Sequence, residues 1–241
     1  PLSSAASDVY KRQSRFCPES TTRRRLRRVH IDIARRRLAD LPSPLPRPRP
    51  EIEAHVIEQG TLPRGARRPG AQVRDAAALA LLYPDRRGEA HIVLMVRPSD
   101  DHVHAGQVAM PGGAREPEDD FPEGTALREA AEEVGLDAEA AGVTTLGVLE
   151  TVDVRVSGFW LVPVVAVAER TPSFVADPVE VAQILTVPVR HFLPDAPVET
   201  VDEQRDGWVL RYGYYPVAGY RVWGATGRAL AQLGAVLGPD R

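Results

Sequence analysis

The sequence predicts an α/β protein, an α/β/α sandwich built on a mixed sheet, with a loop and a short helix set into it. Two observations carry that reading. Apolar runs of strand length stand on both sides of one acidic helical segment, 75–83 and 90–97 before it, 144–152 and 159–168 after it. A second helical segment, TGRALAQLGAVL, follows two later strand candidates and closes the chain with an amphipathic stripe.

Taken in order, the chain begins with a stretch unlike the rest. Its first twenty residues hold the only lysine, Lys11, and the only cysteine, Cys17, and read as disordered. In RRRLRRVHIDIARRRLADL, Leu26, Val29, Ile33 and Leu38 fall near helical spacing among arginines, which predicts a surface helix. PSPLPRPRP at 42–50 stops that helix and predicts a stiff extended linker. Residues 1–50 are therefore expected to form an arginine- and proline-rich, partly disordered extension, of which 1–45 are dispensable for catalysis, and 72–237 the folded domain.

Within that domain DAAALALLY and AHIVLMVR flank PDRRGE, which predicts a hairpin. TTLGVLETV and FWLVPVVAVA are further apolar strands. PVEVAQILTVPVRHFL begins as helix or strand and is broken by its second proline. GWVLRYGYYPV and YRVWG predict a late strand pair.

Composition narrows the function classes. Residues 1–74 carry 17 basic and 7 acidic side chains and the remainder 13 and 26, within a net charge of −3. A predicted body that is acidic has no basic stripe for nucleic acid. No apolar run approaches the roughly 20 residues of a membrane-spanning helix. A single cysteine forms no internal disulfide and fits a reducing, cytoplasmic setting.

The chemistry concentrates in PGGAREPEDDFPEGTALREAAEEVGL, residues 111–136. Pro122 suits a first helical turn and Gly135 a left-handed cap, so a helix is expected over 122–134. At about 100° per residue, Glu129, Glu132 and Glu133 share one sector, with Leu127, Ala131 and Val134 opposite as the core face. On this reading the acids point together, away from the core. Like charges one turn apart repel by only a few tenths of a kcal/mol, so a plain solvated acidic face stays open. The Pro-Gly-Gly corner beside them adds bare backbone carbonyls, and an all-oxygen set of that kind suits Mg2+ or Mn2+. Arg128 is expected to fold back on Asp119 or Asp120 and hold the loop to the helix.

These residues resemble the Nudix hydrolases, whose pattern is G-x5-E-x7-R-E-U-x-E-E-x-G-U with U aliphatic. Arg128, Glu129, Ala130, Glu132, Glu133, Gly135 and Leu136 match its helical half in register. Asp120 stands where the earlier glutamate falls, and Ala114 where the first glycine falls, so the loop is one residue longer. That longer loop, GGAREPED, is similar to the G-G-x-x-D-P-x-D of the coenzyme A pyrophosphatase branch, with Glu116 for the first aspartate. A second signature of that branch, L-L-T-x-R-(S/A)-x3-R-x3-G-x3-F-P-G-G, resembles VLMVRPSDDHVHAGQVAMPGG at 93–113. Arg97, Gly106, Pro111, Gly112 and Gly113 match; Met95, Pro98, His102 and Met110 depart from it.

The resemblance implies a Nudix-type sandwich with a catalytic loop-helix, and metal-dependent hydrolysis of the coenzyme A pyrophosphate to 3′,5′-ADP and 4′-phosphopantetheine. It implies Glu129, Glu132 and Glu133 with the Gly113 carbonyl as metal ligands, and Arg128 among the catalytic residues. Arg97, His102 and Gly112 are expected at the substrate, with Arg97 either meeting a nucleotide phosphate or stabilising the loop. A helix glutamate or Glu180 in DPVEV serves as general base. The expected partner is a small molecule, neither nucleic acid nor membrane. The alternatives are a Nudix hydrolase of ADP-ribose, NADH or other nucleoside diphosphate derivatives, and a non-catalytic Nudix-like binding module, which the intact acid trio disfavours.

Overall fold

The computed structural model describes residues 26–59, 73–99, 106–155, 157–205 and 208–238. Its centre is strand β2 (Arg74–Pro84), eleven residues of almost unbroken apolar character. A strand buried on both faces reads that way because neither face may be polar. Ala77, Leu79, Leu81 and Tyr83 enter one core cluster, and Ala78, Ala80 and Leu82 the other.

Around β2 the large sheet runs β4 (Val108–Ala109), β3 (Ala90–Val96), β2, β8 (Phe159–Ala168) and β6 (Val143–Val148). The predicted hairpin is present: β2 and β3 pair antiparallel through Leu82 and Ile92, and Asp85 in the turn accepts from the Arg87 and Glu89 amides at 2.8 Å each. Strand β5 (Gly112–Ala114) takes over the β2 edge where β3 leaves it. Strand β7 (Val152–Val154) adds to β8, and β9 (Gln183–Pro188) to β3. The pairing of β2 with β8 is parallel over nine residues, and its crossover contains helix α2 (Glu123–Val134) and the short α3 (Ala138–Ala141). That single parallel pair makes the sheet mixed.

Helices cover both faces, so the sandwich expected from the sequence is the fold. Ala126, Ala130 and Val134 of α2 pack on one face, and Ala229, Leu230, Leu233 and Leu237 of α4 (Gly224–Leu237) on the other. The late strand pair is β11 (Trp208–Val217) with β12 (Tyr220–Val222). It belongs to a second sheet that the apolar pattern did not reveal, ordered β1 (His55–Gln59), β11, β10 (Glu199–Arg205). ETVDEQR has no apolar alternation; cross-strand pairs such as Arg211 with Asp202 at 2.7 Å support it instead.

The described part of the N-terminal extension is no surface appendage. Helix α1 (Ile31–Leu38) buries Ile31, Ala34 and Leu38 in the same cluster as α4, while Ile33, expected on the apolar side, is exposed. The true seam is the Ile31, Ala34, Leu38 series, spaced three and four residues apart. The Arg37 guanidinium donates to the carbonyls of Leu237 and Gly238, the orphan acceptors at the end of α4. The proline-rich stretch lies on the body: Pro46 accepts from Gln232 Nε2 at 3.1 Å, and Arg49 donates to the Ala196 carbonyl at 2.6 Å. It is a strap, where a free spacer was expected.

Candidate active site

The site is built where β5 meets α2. Gly112 lies so close to β2 that a Cβ would stand 2.4 Å from the Ala77 carbonyl oxygen. Gly113 turns its bare α-carbon to α2, and a Cβ there would stand 2.4 Å from Glu129 Oε1. Both glycines are needed because backbone and carboxylate occupy the space of a side chain.

Helix α2 ends as expected, with Gly135 left-handed at φ 64° and its amide bonded to the Ala130 and Ala131 carbonyls. Its rotation differs from expectation. Thr125, Ala126, Ala130, Glu133 and Val134 are buried, whereas Ala131 is exposed and Leu127 only partly covered. The three acids therefore do not point away from the core together. Small alanines let the helix sit close on β2 and β5, and the sector flanking that seam falls on Glu133. Glu133 is 2% exposed, Glu129 14% and Glu132 58% in side-chain terms.

Each acid has a distinct surrounding. Glu133 Oε2 accepts the Gly112 amide at 2.7 Å, and Arg97 stands 3.8 Å from Oε1. Burial pushes the Glu133 carboxyl up to about 7; the Gly112 amide and Arg97 oppose the rise, and Glu129 and Glu180 add to it. Glu129 is raised too, first by burial, with Arg128 opposing and Glu132 and Glu180 adding. Glu132 is held at the surface by Arg128 at 2.9 Å.

Arg128 is the clamp. Its Nε and Nη2 grip Asp119 at 3.0 and 3.1 Å, and Nη2 also reaches the Ala114 carbonyl at 3.1 Å and Glu129 at 3.0 Å. Asp119 accepts further from Thr125 Oγ1 at 2.8 Å and the Glu116 amide at 2.9 Å, so its carboxyl lies well below the usual range, chiefly through Arg128. Of the two aspartates considered, Asp119 is the partner.

Arg97 also points at the Gly112 carbonyl, 3.4 Å away, which makes it a brace between β3 and the loop. His102 lies outside the described residues. Glu180 is exposed and distant in sequence, but its segment is tied to α2: the Val175 and Asp177 amides donate to the Val134 and Glu133 carbonyls at 2.9 Å each. Asp177 Oδ1 then accepts the Val179 and Glu180 amides at 2.7 and 3.1 Å, fixing the turn that carries Glu180, whose charge adds to the rise of both Glu129 and Glu133. Only position in the fold reveals that link.

Among the described residues, no three carboxylate, imidazole or thiolate groups are gathered closely enough to hold a metal ion as they stand. The donor chemistry nonetheless fits a hard divalent cation. Glu129 is raised by burial and by the charges of Glu132 and Glu180, Glu133 by burial and by those of Glu129 and Glu180, and the bare α-carbon of Gly113 lets the Glu129 carboxylate lie against the backbone of β5. A cation held there would relieve the repulsion.

An acid helix clamped to a double-glycine strand, on a mixed sheet between helices, is the setting of a pyrophosphate hydrolase. The chain belongs to the Nudix family: the model of the NUDIX domain matches residues 58–204. Two relatives, the uncharacterised Nudix hydrolases NudL of Cronobacter sakazakii and Enterobacter sp., are 35% and 36% identical over 170 residues, 68% of this chain and 83% of theirs. Among solved structures, the Nudix hydrolase RenU from M. smegmatis is 30% identical with a TM-score of 0.43, covering 50% of this chain and 74% of that one. The NUDIX domain of Shewanella oneidensis NrtR, solved with ADP ribose, is 21% identical with a TM-score of 0.39, covering 49% and 74%. Nudix hydrolases use divalent metal ions, generally Mg2+ or Mn2+, and act on small nucleoside diphosphate substrates.

Proposed function

We propose that this Nudix hydrolase cleaves the pyrophosphate bond of coenzyme A and its derivatives, giving 3′,5′-ADP and 4′-phosphopantetheine or its acyl form. The observation that carries the chemistry is the pairing of buried Glu133 with the Gly112 amide beside Glu129 and Gly113. Glu129 and Glu133, with the Gly113 carbonyl, would hold the divalent ion, and Glu132 completes the set once released from Arg128. When bound, Mg2+ or Mn2+ neutralises the diphosphate and makes a water acidic enough to attack. Arg128 keeps loop and helix in register through Asp119, and Arg97 holds Gly112 in place. Glu180, whose charge reaches both helix acids, takes the proton of the attacking water.

The substrate choice is supported by the 93–113 segment, in which Arg97, Gly106, Pro111, Gly112 and Gly113 keep the spacing of the coenzyme A branch. The bracing contacts of Arg97 favour the loop-stabilising role over a phosphate contact. His102 is kept as the residue offered to the substrate in that signature. A cytoplasmic location is part of this reading, on the ground of the lone Cys17.

The test is a substrate panel with Mg2+ and with Mn2+. Coenzyme A and its thioesters are expected to show higher kcat/KM than ADP-ribose or NADH. Equal values would leave a generic nucleoside diphosphate hydrolase.

A further inference from the structure

Among the described residues, strand β9 pairs with β3 along one side only, and its other edge borders a cleft of about 320 Å3. All six β9 residues line it, facing His191 and the turn Val217–Ala218 between β11 and β12. A cleft of this size sits at the small end of the range for small-molecule sites, roughly 300–1,000 Å3. Among the described residues, no acid or permanent cation lines it. Burial, followed by the charge of Arg190, pushes the His191 imidazole below its ordinary value, so it too is neutral near pH 7.

The cleft begins one strand away from the active site. Its near end is Gln183, whose backbone partner is Val96, the residue before Arg97. Gln183 also follows Glu180 by three residues, and its side chain is held by the Tyr220 hydroxyl at 2.8 Å. From there six extended residues span roughly 20 Å.

We propose that the free edge of β9 is the seat of the pantetheine arm of coenzyme A, running from the active-site mouth at Gln183 toward His191. The arm is uncharged, extended and carries two amides. A strand edge offers alternating N–H and C=O groups that pair with such a chain as they would with a peptide. Ile184 and Val217 supply apolar walls for its carbon chain. Ala218 holds a left-handed φ of 50°, unusual for a residue with a side chain, and so presents only a methyl group to the cleft. The nucleotide half, with its phosphates, has no cation in this cleft to meet it. The inference rests on the coenzyme A reading and names the part of the site that would distinguish that substrate from ADP-ribose.

Hydrogen exchange on the intact, metal-free protein tests it without turnover. Pantetheine and coenzyme A are expected to protect amides within 183–188 and ADP-ribose to leave them unprotected. Protection already present without ligand and rising with protein concentration would instead assign the edge to a second copy and overturn the proposal. Ala218→Asp, a residue type that tolerates left-handed backbone, places a charge in the cleft. It should lower kcat/KM for coenzyme A about tenfold more than for ADP-ribose, mainly through KM. Coenzyme A hydrolysis with no protection of 183–188 and no selective loss in the variant sinks this inference and spares the substrate reading. A wild-type protein active on ADP-ribose and inert on coenzyme A removes both.

Discussion

Glu133→Gln separates the charge of the deepest acid from its shape. Glutamine keeps an oxygen for the Gly112 amide, which now bonds Glu133 at 2.7 Å. What it removes is a carboxylate that burial raises from 4.5 to about 7. A raised carboxyl binds its proton more tightly in the folded chain than in the unfolded one. The folded protein therefore bears no ionisation penalty below about 4.5, loses stability as pH rises through 7, and carries the full penalty above it. Over about 2.5 pH units at 1.36 kcal/mol each, that penalty is on the order of 3 kcal/mol, undiminished by solvent because Glu133 is almost fully buried. Urea melts in EDTA should show the variant equal to wild type near pH 4.5 and more stable at pH 8 by up to that amount. Mg2+ should stabilise wild type and leave the variant nearly unmoved, and turnover should fall about hundredfold or more. A stability difference that does not change with pH would refute the buried-charge argument. Wild-type turnover by the variant would refute the metal assignment.

Three further outcomes follow from the geometry. Arg128→Lys should lose most turnover, because an ammonium cannot grip Asp119 through two nitrogens and reach the Ala114 carbonyl as well; the loss is expected in kcat, and unchanged kinetics would remove the clamp. Gly113→Ala puts a methyl group 2.4 Å from Glu129 Oε1, so Mg2+-dependent turnover should drop at least about tenfold with a far smaller effect on thermal melting; equal loss of both would make Gly113 structural. Leu38→Ala empties a fully buried site between α1 and α4 and should cost about 3 kcal/mol in denaturant melts, whereas the sequence reading of a dispensable extension expects almost none.

The last of these marks where the sequence stopped being legible. The central strands were visible because β2, β3 and β8 are buried on both faces, and continuous apolar runs say so directly. The acid helix was visible because its pattern is dense and its glycine cap local. What failed was rotation and partnership. Ala126 and Ala130 are too small to stand out as a core face beside Leu127, yet smallness is what brings α2 down onto β5. In α1 the arginines hid a three-residue seam, and Arg37 finds its role only at the end of a helix 200 residues away. Strand β10 escaped because charged and aromatic partners on β11 stabilise it, and such partners are known only after the strands are paired. Glu180 shows the same limit at the site itself. Its own segment is exposed and ordinary; two backbone bonds to the last turn of α2 bring it near enough for its charge to raise Glu129 and Glu133. A motif can thus name the carboxylates that hold charge together, but which of them is buried, which is spent on Arg128 and which remote acid joins them is decided by long-range contacts. The proposed chemistry follows from that division: the buried pair would gain most from a cation, and the exposed, tethered acid would be left to handle the proton.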